Sequence, residues 1–304
     1  MKIICLVVTF NGERWISKCL DSLRTSTVNL LPVVIDNASQ DSTAEIIKCK
    51  YPEVHLINNN KNIGFGKATN LGLKYALSHD ADFILLLNQD AIIHPQMVEK
   101  LVWHAERNKE IGILSPLHYN YEGSNLDFAF LSNFVYDRQM LSDAFCNKLK
   151  SLYIVNSVNA AIWLIKRSTL DIVGGFDPLF DHGGEDNDYC IRIKYFNIKI
   201  ALVTDAVAYH SHESFGYNRK YSDLELSNYY YNQIILEFKH NSSRYVLKFI
   251  KFVLTQVVGS LYRVLSLNFS AFLYKGNATI KIIGNASRIR KHRLMSLSRG
   301  RNWI

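Results

Sequence analysis

The chain has 304 residues, enough for one large domain or two small ones with an ample core. Hydrophobic residues make up 48 % of it and charged residues 20 %, which excludes a disordered or low-complexity chain. Twelve of the 35 Lys and Arg residues, and none of the 27 Asp and Glu residues, lie within 241–304. A weakly acidic body with a basic tail predicts that the tail meets an anionic partner.

The cysteines and the first residues bear on the compartment. None of the five cysteines forms a Cys-x-x-Cys pair, so reduced thiols in the cytoplasm are the simplest interpretation. The amino-terminal run IICLVVTF resembles a short signal sequence, but it continues into Asn-Gly-Glu-Arg without a small-residue cleavage site. We therefore predict a buried first strand at this position.

Strand and helix signals alternate through about the first 115 residues. Four apolar runs predict buried strands: IICLVVTF, LLPVVIDN, VHLIN and ADFILLLNQ. Helices are predicted near 13–25, from a Ser42–Glu45 capping box to about Lys50, near 67–78, and from Pro95 to about Asn108. This pattern indicates a mostly parallel α/β sheet flanked by helices, and such sheets bind ligands beyond the carboxyl ends of their strands.

The pattern is less regular after residue 115. We predict a strand near 154–165 and then the loop GGFDPLFDHGGED, which leads into a helix. One or two strands are predicted in KIALVTDAVAYHSH, and the chain becomes long, apolar and basic from 244.

Two carboxylates follow predicted strands. Asp36 ends the second strand in VVIDNAS, and Asp90 follows the fourth in FILLLNQDAII. Asp36 could accept a hydrogen bond from a nucleobase or ribose, and Asp90 could bind Mg²⁺ or Mn²⁺ together with the phosphates of a substrate. The alternative for both is an ordinary turn or capping residue.

A glycine-rich segment, NKNIGFGKATN (60–70), places Gly64 and Gly66 before a predicted helix. A dinucleotide-binding loop would have a third glycine where Thr69 stands, and it would follow the first strand rather than the third. We therefore expect no NAD site, but rather a backbone-lined loop near a nucleotide.

Acidic residues and histidines mark the second half. Glu185, Asp186 and Asp188 open a helix, where its dipole alone would favour them. Two adjacent carboxylates after a Gly-Gly pair exceed what capping needs, so they predict a general base for an acceptor hydroxyl. His210 and His212 share one face of a strand, and one of them could contact a metal or a diphosphate; a structural role is the alternative.

In order and spacing, these pieces resemble the family 2 glycosyltransferases, which have the nucleotide-sugar-binding fold called GT-A. The matching segments are VVTFN (7–11), VIDNASQDST (34–43), NKNIGFGKATNLGL (60–73), ILLLNQDAII (84–93), VGGFDPLFDHGGEDNDYCIR (173–192) and the histidine at 210. The resemblance covers roughly 1–215. It implies a catalytic domain over 1–240, with a nucleotide-sugar half (about 1–115) and an acceptor half (about 116–240), before a basic helical extension over 241–304.

The resemblance also implies a role for each site residue. Asp186 would be the catalytic base, and Glu185 would orient it or contact the acceptor. Asp90 would be the principal metal ligand, with His210 near the metal and diphosphate. The donor nucleotide would be bound by Thr9, Asn11, Asp36, Asn62, Gly64, Asn88 and Gln89. Asp36 would contact the nucleobase, and Asn88 stands where the family's Asp-x-Asp motif has its first acid.

The implied activity is an inverting, metal-dependent glycosyl transfer to a lipid-linked saccharide in cell-surface polysaccharide (O-antigen) synthesis. It would proceed in one displacement through an oxocarbenium-like state. NIGFGKATN, LLLNQDA and VGGFDPLF most resemble bacterial rhamnosyltransferases, so dTDP-L-rhamnose is the first donor candidate and UDP-sugars compete with it. There are two alternative functions. A sugar-phosphate nucleotidyltransferase would have a basic glycine-rich loop after the first strand, and the segment TFNGER does not have that character. A non-catalytic nucleotide-sugar-binding protein is suggested by Asn88.

The tail has uncharged runs of eleven residues on either side of Arg263, shorter than the roughly 20 apolar residues of a membrane-spanning helix. Its polar positions recur at steps of three or four residues or at their sums, which predicts an amphipathic helix on anionic lipids at the cytoplasmic face of the inner membrane. The alternative is a helix packed on the catalytic domain or in a homo-oligomer. The basic cluster RIRKHRL (288–294) accompanies no nucleic-acid-binding motif, so no nucleic-acid partner is expected.

Overall fold

The computed structural model describes residues 1–132, 138–180, 183–211, 222–240, 245–265 and 269–304. The first elements are β1 (Ile3–Thr9), α1 (Ile16–Arg24), β2 (Leu30–Asp36), α2 (Thr43–Lys50), β3 (His55–Asn58), α3 (Phe65–Ser78), β4 (Phe83–Asn88), β5 (Ala91–Ile93) and α4 (Met97–Arg107). They are followed by β6 (Ile111–Asn120), α5 (Phe128–Ser132), α6 (Arg138–Phe145), β7 (Leu152–Val155), β8 (Ile162–Lys166), α7 (Arg167–Val173), α8 (Glu185–Tyr195) and β9 (Lys199–His210). The carboxyl-terminal helices are α9 (Asp223–His240), α10 (Tyr245–Leu265), α11 (Phe269–Gly284) and α12 (Ala286–Ser296).

The strands in the described residues form one nine-stranded sheet in the order β3-β2-β1-β4-β8-β6-β9-β5, with β7 paired to β9. β1 runs parallel to β2 and β4, and β2 runs parallel to β3, so the predicted parallel α/β sheet is confirmed in this part. Beyond β4 the sheet is mixed, because β8 runs antiparallel to both of its neighbours. The beginning of β8 therefore lies beside the end of β4, where several predicted site residues stand.

The side chains of β1 alternate between two apolar layers, as the two-residue period of a strand requires. Ile3, Cys5 and Val7 pack in the layer that includes α1 and α4. Ile4 and Leu6 pack in the layer that includes α3 and α8. Helices thus cover both faces of the sheet, which explains why the predicted strands are continuous apolar runs rather than alternating ones.

Two predicted helix starts are wrong in detail. Pro95 lies outside α4, whose N-cap is Gln96. Ser42 is the N-cap of α2, but its side chain makes no capping hydrogen bond. Instead, the backbone N–H of Ser42 donates to the Glu13 carboxylate at 3.1 Å. Glu13, in the turn after β1, thus accepts the hydrogen bond that the capping-box prediction assigned to Glu45.

The region after residue 107 departs most from the prediction. The expected strand at 154–165 is two strands: β7 pairs with β9, and β8 pairs with β4 and β6. The intervening sequence NSVNAA has neither Gly nor Pro, so composition does not reveal the break. The sequence did not predict β5, β6, α5, α6, α7 or α9. KIALVTDAVAYHSH contains one strand, β9, and His212 lies outside the described residues.

Over its described residues, 245–265 and 269–304, the basic tail contains three helices rather than one, and part of it packs on the body of the protein. A third apolar cluster joins the loop residues Leu179 and Phe180 to residues of α9, to Ala278 and Ile282 of α11, and to Ile289 of α12. The packing alternative therefore holds for α11 and α12, and Phe249 and Phe252 of α10 also pack against this cluster. No helix in the described parts of the chain is long and apolar enough to cross a membrane.

Candidate active site

The carboxyl ends of β1, β2 and β4 meet at one edge of the sheet. Thr9 pairs with Asp36, and Val8 pairs with Asn88. The Thr9 hydroxyl donates to Oε1 of Gln89 at 2.5 Å, and the same oxygen accepts the backbone N–H of Phe10 at 3.0 Å. Thr9 is fully buried. Its hydroxyl and the Gln89 side chain therefore join two strand ends, and their contact with a nucleotide stays a prediction.

The turn after β2 is tied to the end of β1. Asn11 has a positive φ of 48°, its backbone N–H donates to the Ser39 hydroxyl at 2.9 Å, and its side-chain oxygen accepts the N–H of Gln40 at 2.8 Å. The buried Asp36 carboxylate accepts the Ser39 hydroxyl at 2.5 Å and the Ser39 N–H at 3.2 Å. The turn interpretation of Asp36 is thus observed, and its contact with a nucleobase stays a prediction.

Asparagines shape the loop that leads to α3. Oδ1 of Asn37 accepts hydrogen bonds from the Asn59 side chain at 3.1 Å and from the Ile63 backbone at 3.0 Å. Its amide donates to Oδ1 of Asn62 at 2.8 Å, and that oxygen accepts the Gly64 N–H at 2.9 Å. Gly64 has a φ of 85°, which strongly favours glycine. Asn37 was missed by the sequence analysis, although it directly follows Asp36.

The candidate metal site lies where β5 pairs with β9. Ala91 is opposite His210 in that pairing, and the Ser211 N–H donates to the Asp90 carbonyl at 3.1 Å. Nε2 of His210 lies 3.3 Å from Oδ1 of Asp90 and 3.2 Å from Nδ2 of Asn88. The pairing of a short strand with β9 therefore brings together residues that are 120 positions apart.

Asp90 and His210 fit a divalent ion as two neighbouring ligands. Adjacent ligands in an octahedral site with bonds of about 2.1 Å are about 3 Å apart, and the observed separation of their nearest atoms is 3.3 Å. Among the described residues, no group of three or more His, Cys, Asp or Glu side chains could hold a metal. Water and substrate oxygens would therefore supply the remaining ligands, as is usual for Mg²⁺ beside phosphates.

The charge state of His210 reflects its surroundings. Burial lowers its pKa, but hydrogen bonds and charges from Asp127 and Asp90 outweigh burial and raise it to about 9. The imidazole is thus protonated at neutral pH when no cation is present. A bound divalent ion would take the place of that proton, since metal ligation requires the neutral ring.

The two adjacent acids begin α8, directly after Gly183 and Gly184. Burial, followed by the charge of Asp186, raises the pKa of Glu185 to about 7. Burial also raises the pKa of Asp186, although backbone N–H groups of Asn187 and Ala160 favour its charged form. No described residue forms a hydrogen bond with the buried Oε2 of Glu185. Because its pKa is raised, each of the two carboxylates accepts a proton more readily than a free carboxylate does.

The glycine-rich loop lies against these acids. A Cβ added to Gly66 would be 3.7 Å from Cβ of Glu185 and 3.2 Å from Cβ of Phe176. The latter contact is tight, so a side chain at Gly66 would push the start of α3 away from Phe176 in the GGFD loop. The glycine-rich segment thus packs against Glu185, and its approach to a nucleotide stays a prediction.

The start of β8 connects the acids to the metal site. The Ala160 N–H is close enough to the Asp186 carboxyl group to favour its charged form and lower its pKa, and the next residue, Ala161, accepts the Asn88 N–H at 2.9 Å. Asn88 in turn contacts His210. Ala160 and Ala161 are consecutive residues: the first is next to the candidate base, and the second is bonded to Asn88 of the metal site. The structure therefore brings Asp186 to the same edge of the sheet as Asp90.

Behind α8 lies a cluster of charged side chains that the sequence analysis missed. Asp188 bonds to Arg192 through Oδ2 at 2.9 Å and to Lys239 through Oδ1 at 2.5 Å. Lys239 also pairs with Asp177, whose other oxygen contacts His292 of α12 at 2.5 Å. The first four are fully buried. Asp188 therefore holds α8 in place. These ion pairs explain why an acidic residue stands at this position without a catalytic role.

The carboxyl-terminal residues complete the support of the loop before α8. Arg192 donates to the carbonyls of Val173 and Gly175 at 2.8 and 2.7 Å. The Gly175 N–H donates to the Asn302 carbonyl at 2.8 Å. A Cβ on Gly174 would lie only 2.4 Å from that same carbonyl oxygen. The end of the chain is thus part of the structure that holds the GGFD loop.

We expect Lys239→Met to destabilise the protein by about 3–5 kcal/mol, because it leaves two buried carboxylates without their shared cation. Lys194→Met is the matched control, since Lys194 is exposed on α8. Urea unfolding followed by circular dichroism measures both. Equal stability of the two variants would show that the buried cluster contributes little.

Comparisons with known proteins agree with this architecture. Residues 4–154 match the family model "Glycosyl transferase family 2". The dTDP-rhamnosyl transferase RfbF of Shigella flexneri is 25 % identical over 217 residues, which cover 69 % of this chain and 69 % of that protein. The N-acetylglucosaminyl-diphospho-decaprenol L-rhamnosyltransferase of Mycobacterium tuberculosis is 25 % identical over 236 residues, which cover 69 % of this chain and 76 % of that one.

A solved structure shows the fold. The mannosyltransferase PcManGT from Pyrobaculum calidifontis, in complex with GDP-Man and Mn²⁺, matches 97 % of this chain and 84 % of its own with a TM-score of 0.59 and 17 % identity. The family and fold that the sequence predicted are confirmed by these matches. The chain therefore carries a glycosyltransferase family 2 domain over residues 4–154 and has the GT-A fold.

Proposed function

We propose that the protein transfers a sugar from a nucleotide-sugar donor to a hydroxyl group of a saccharide acceptor, with inversion and with help from Mg²⁺ or Mn²⁺. One observation carries the proposal. Asp90 and His210, spaced as neighbouring ligands, share a sheet edge with the acids Glu185 and Asp186. A diphosphate held at the first pair would present its sugar to the second.

Each carboxylate then has a separate task. Asp90 and His210 would hold the cation, which supplies neutralising charge for the departing diphosphate. Asp186 accepts the proton of the acceptor hydroxyl as that oxygen attacks the anomeric carbon. Glu185, buried beside Asp186, orients it or binds the acceptor. One attack from the face opposite the leaving group inverts the anomeric configuration, and no covalent sugar–enzyme bond forms.

The donor half is supported by the ends of β1, β2 and β3. Asn11, Asn62 and Gly64 lie in turns that hydrogen bonds hold to Ser39 and Asn37. Phe10 follows the buried Thr9 and is 42 % exposed. We assign its ring to stacking on the nucleobase, a contact that tolerates any base because each has a flat face. The sequence analysis did not single out Phe10.

The best donor candidate is dTDP-L-rhamnose, and UDP-sugars compete with it. The proposal is supported by similarity to a dTDP-rhamnosyl transferase and to an L-rhamnosyltransferase that is named for a diphospho-decaprenol acceptor. A lipid-linked saccharide in cell-surface polysaccharide synthesis is the corresponding acceptor. The polyprenyl chain of such an acceptor would place the enzyme at the cytoplasmic face of the inner membrane.

A donor screen tests the function. Thermal unfolding is measured with dTDP-L-rhamnose, several UDP-sugars and GDP-mannose, each with and without Mn²⁺. A ligand at 100 times its dissociation constant stabilises the folded form by about 2.7 kcal/mol. We expect the largest, Mn²⁺-dependent shift with dTDP-L-rhamnose, and a larger shift with a UDP-sugar would reassign the donor. If none of the nucleotide sugars shifted the melting temperature, the proposal would be overturned. In a separate assay, consumption of nucleoside triphosphate would indicate a nucleotidyltransferase.

We also propose that α10 contacts the anionic membrane surface. It carries four exposed apolar side chains at helical spacing: Leu247, Ile250, Leu254 and Val258. Lys248 and Lys251 are exposed beside them, and residues 241–304 contain no Asp or Glu. An apolar stripe flanked by lysines suits a helix that lies in the headgroup region.

Leu254→Glu is expected to reduce binding to vesicles that contain phosphatidylglycerol by about tenfold or more, since burial of a leucine contributes about 1.5–3 kcal/mol. Leu224→Glu is the control, because Leu224 is at least as exposed as Leu254 but lies on α9. Co-sedimentation measures both. Equal vesicle binding by the two variants would reject the proposed contact of α10 with the membrane. If instead vesicle binding were absent and the substitution changed the molar mass of the protein in solution, α10 would be a homo-oligomer interface.

A further inference from the structure

A buried aspartate stands behind the candidate metal site, in a part of the chain where the sequence shows no pattern. Asp127 is 3 % exposed and precedes α5. Its backbone N–H donates to the His118 carbonyl at 2.9 Å. Oδ1 of its carboxylate accepts the Phe130 N–H at 2.8 Å. These bonds fix the carboxylate and leave its second oxygen directed elsewhere.

That second oxygen faces His210. Oδ2 of Asp127 lies 3.5 Å from Nδ1 of His210, on the side of the ring opposite to Asp90. The other nitrogen, Nε2, lies 3.3 Å from Asp90 and 3.2 Å from the Asn88 amide. Each ring nitrogen of His210 therefore has one carboxylate beside it.

Aromatic packing holds the ring in this orientation. The His118 ring stacks on Phe130, with centroids 4.6 Å apart. It also meets the His210 ring edge-on, at a centroid distance of 6.4 Å. His210 itself is 3 % exposed. Rotation of the imidazole is thus opposed by packing as well as by Asp127.

We propose that Asp127 is a positioning residue for His210: it keeps the ring proton on Nδ1, so that the lone pair of Nε2 points toward Asp90. When a cation takes the place of the proton on Nε2, the neutral imidazole keeps one N–H, which then lies on Nδ1 and faces the Asp127 carboxylate. The Asn88 amide nitrogen is a donor, and it favours the same tautomer. The role rests on the proposed function, because it matters only if Nε2 contacts the cation.

The placement distinguishes this carboxylate from a third ligand. Asp127 is on the far side of the imidazole from Asp90, so its effect on a cation at Asp90 must pass through the ring. Carboxylates that orient a ligating histidine typically change metal affinity or activity by about 10–100-fold when removed. The substitution Asp127→Asn keeps an oxygen that can accept the Phe130 N–H, and it removes the charge facing Nδ1.

The test compares Asp127→Asn with Asp143→Asn in the full chain. Asp143 is also a buried aspartate of the same region; it accepts the Tyr153 hydroxyl at 2.8 Å and lies outside the site. We expect Asp127→Asn to weaken Mn²⁺ binding by about 10–100-fold, measured by electron paramagnetic resonance with dTDP or UDP present, and to lower kcat with little change in the acceptor KM. We expect Asp143→Asn to lower the melting temperature only. Unchanged Mn²⁺ affinity and kcat in Asp127→Asn would make Asp127 purely structural.

A second measurement does not depend on the metal or on folding of the variant. Nitrogen-15 NMR of the wild-type protein, recorded under conditions in which the imidazole is neutral, reports which nitrogen of His210 carries the proton. We expect the proton on Nδ1, and a proton on Nε2 would overturn the proposal. Should the wild-type protein bind no Mn²⁺ while NMR finds the proton on Nδ1, the proposed function fails and the placement of Asp127 beside Nδ1 of His210 stands.

Discussion

Replacing Asp186 with Asn is expected to lower kcat by about 10²–10⁴-fold, because an amide cannot accept the proton of the acceptor hydroxyl. The substitution preserves size, and Asp186 lies at the start of α8 rather than in the buried ion cluster. Donor binding should stay near normal, since the donor half depends on other strands. Steady-state transfer assays with a labelled donor measure kcat, and thermal shifts with donor and Mn²⁺ measure binding.

Glu185→Gln is the matched comparison for this prediction. We expect a smaller loss of kcat, because Glu185 orients Asp186 or the acceptor and does not take the proton. Near-complete loss in Glu185→Gln together with retained turnover in Asp186→Asn would exchange the two assignments. Full activity in both variants would remove the pair of acids from the mechanism.

The raised pKa of Glu185 links pH to stability with a definite sign. The folded form holds this proton up to pH about 7, whereas the unfolded chain loses it near 4.5. Between these values the folded state binds more protons, so its stability falls as pH rises and stays lower above the window. Glu185→Gln should therefore raise the melting temperature more at pH 8 than at pH 4. The rate of sugar transfer should follow the opposite trend and rise with pH, because Asp186, the proposed base, must be ionised.

Replacing Asp90 with Ala is expected to have the second largest effect. Cation charge at a departing group contributes several kcal/mol, and each 1.36 kcal/mol is about tenfold in rate, so a loss of about 10³-fold is expected. Ala is preferred to Asn because Asn would keep an oxygen ligand. Titration of activity with Mn²⁺ should show a greatly raised requirement. Thermal shifts with dTDP or UDP should lose their dependence on Mn²⁺.

Asp21→Ala is a suitable control for Asp90→Ala, because Asp21 is a carboxylate of α1 whose side chain is 62 % exposed. Its removal should leave both the rate and the Mn²⁺ dependence unchanged. If Asp90→Ala behaved like Asp21→Ala, the cation would have to bind elsewhere or take no part in transfer.

Much of the amino-terminal half could be predicted from the sequence, because its strands are local apolar runs covered by helices. The end of each run is visible as a polar residue, and parallel pairing brings Asp36, Asn88 and Asp90 to one edge without further information. The family resemblance then assigned Asp186 and His210. Neither local pattern nor charge alone distinguishes Asp186 from the structural Asp188 two residues later.

The rest depends on contacts between distant parts of the chain. Lys239 meets Asp188 across 51 residues, and His292 meets Asp177 across 115. In the sequence, Lys239 resembles an ordinary charged residue near a helix end, and His292 lies within the basic cluster RIRKHRL. The prediction of a single membrane-lying helix therefore missed that α12 and the end of the chain support the GGFD loop. Asp127 is hidden for the same reason, since its partner His210 is far along the chain.

The central claim is that Asp90, His210 and Asp186 surround one cation-bound diphosphate and its sugar. A crystal structure with dTDP or UDP and Mn²⁺, with anomalous scattering used to locate the metal, tests it most directly. The account predicts one Mn²⁺ within about 2.2 Å of both Asp90 and His210, bridged to the diphosphate, with Asp186 beside the place of the attacking oxygen. Mn²⁺ on other residues, or a nucleotide bound away from this sheet edge, would contradict it.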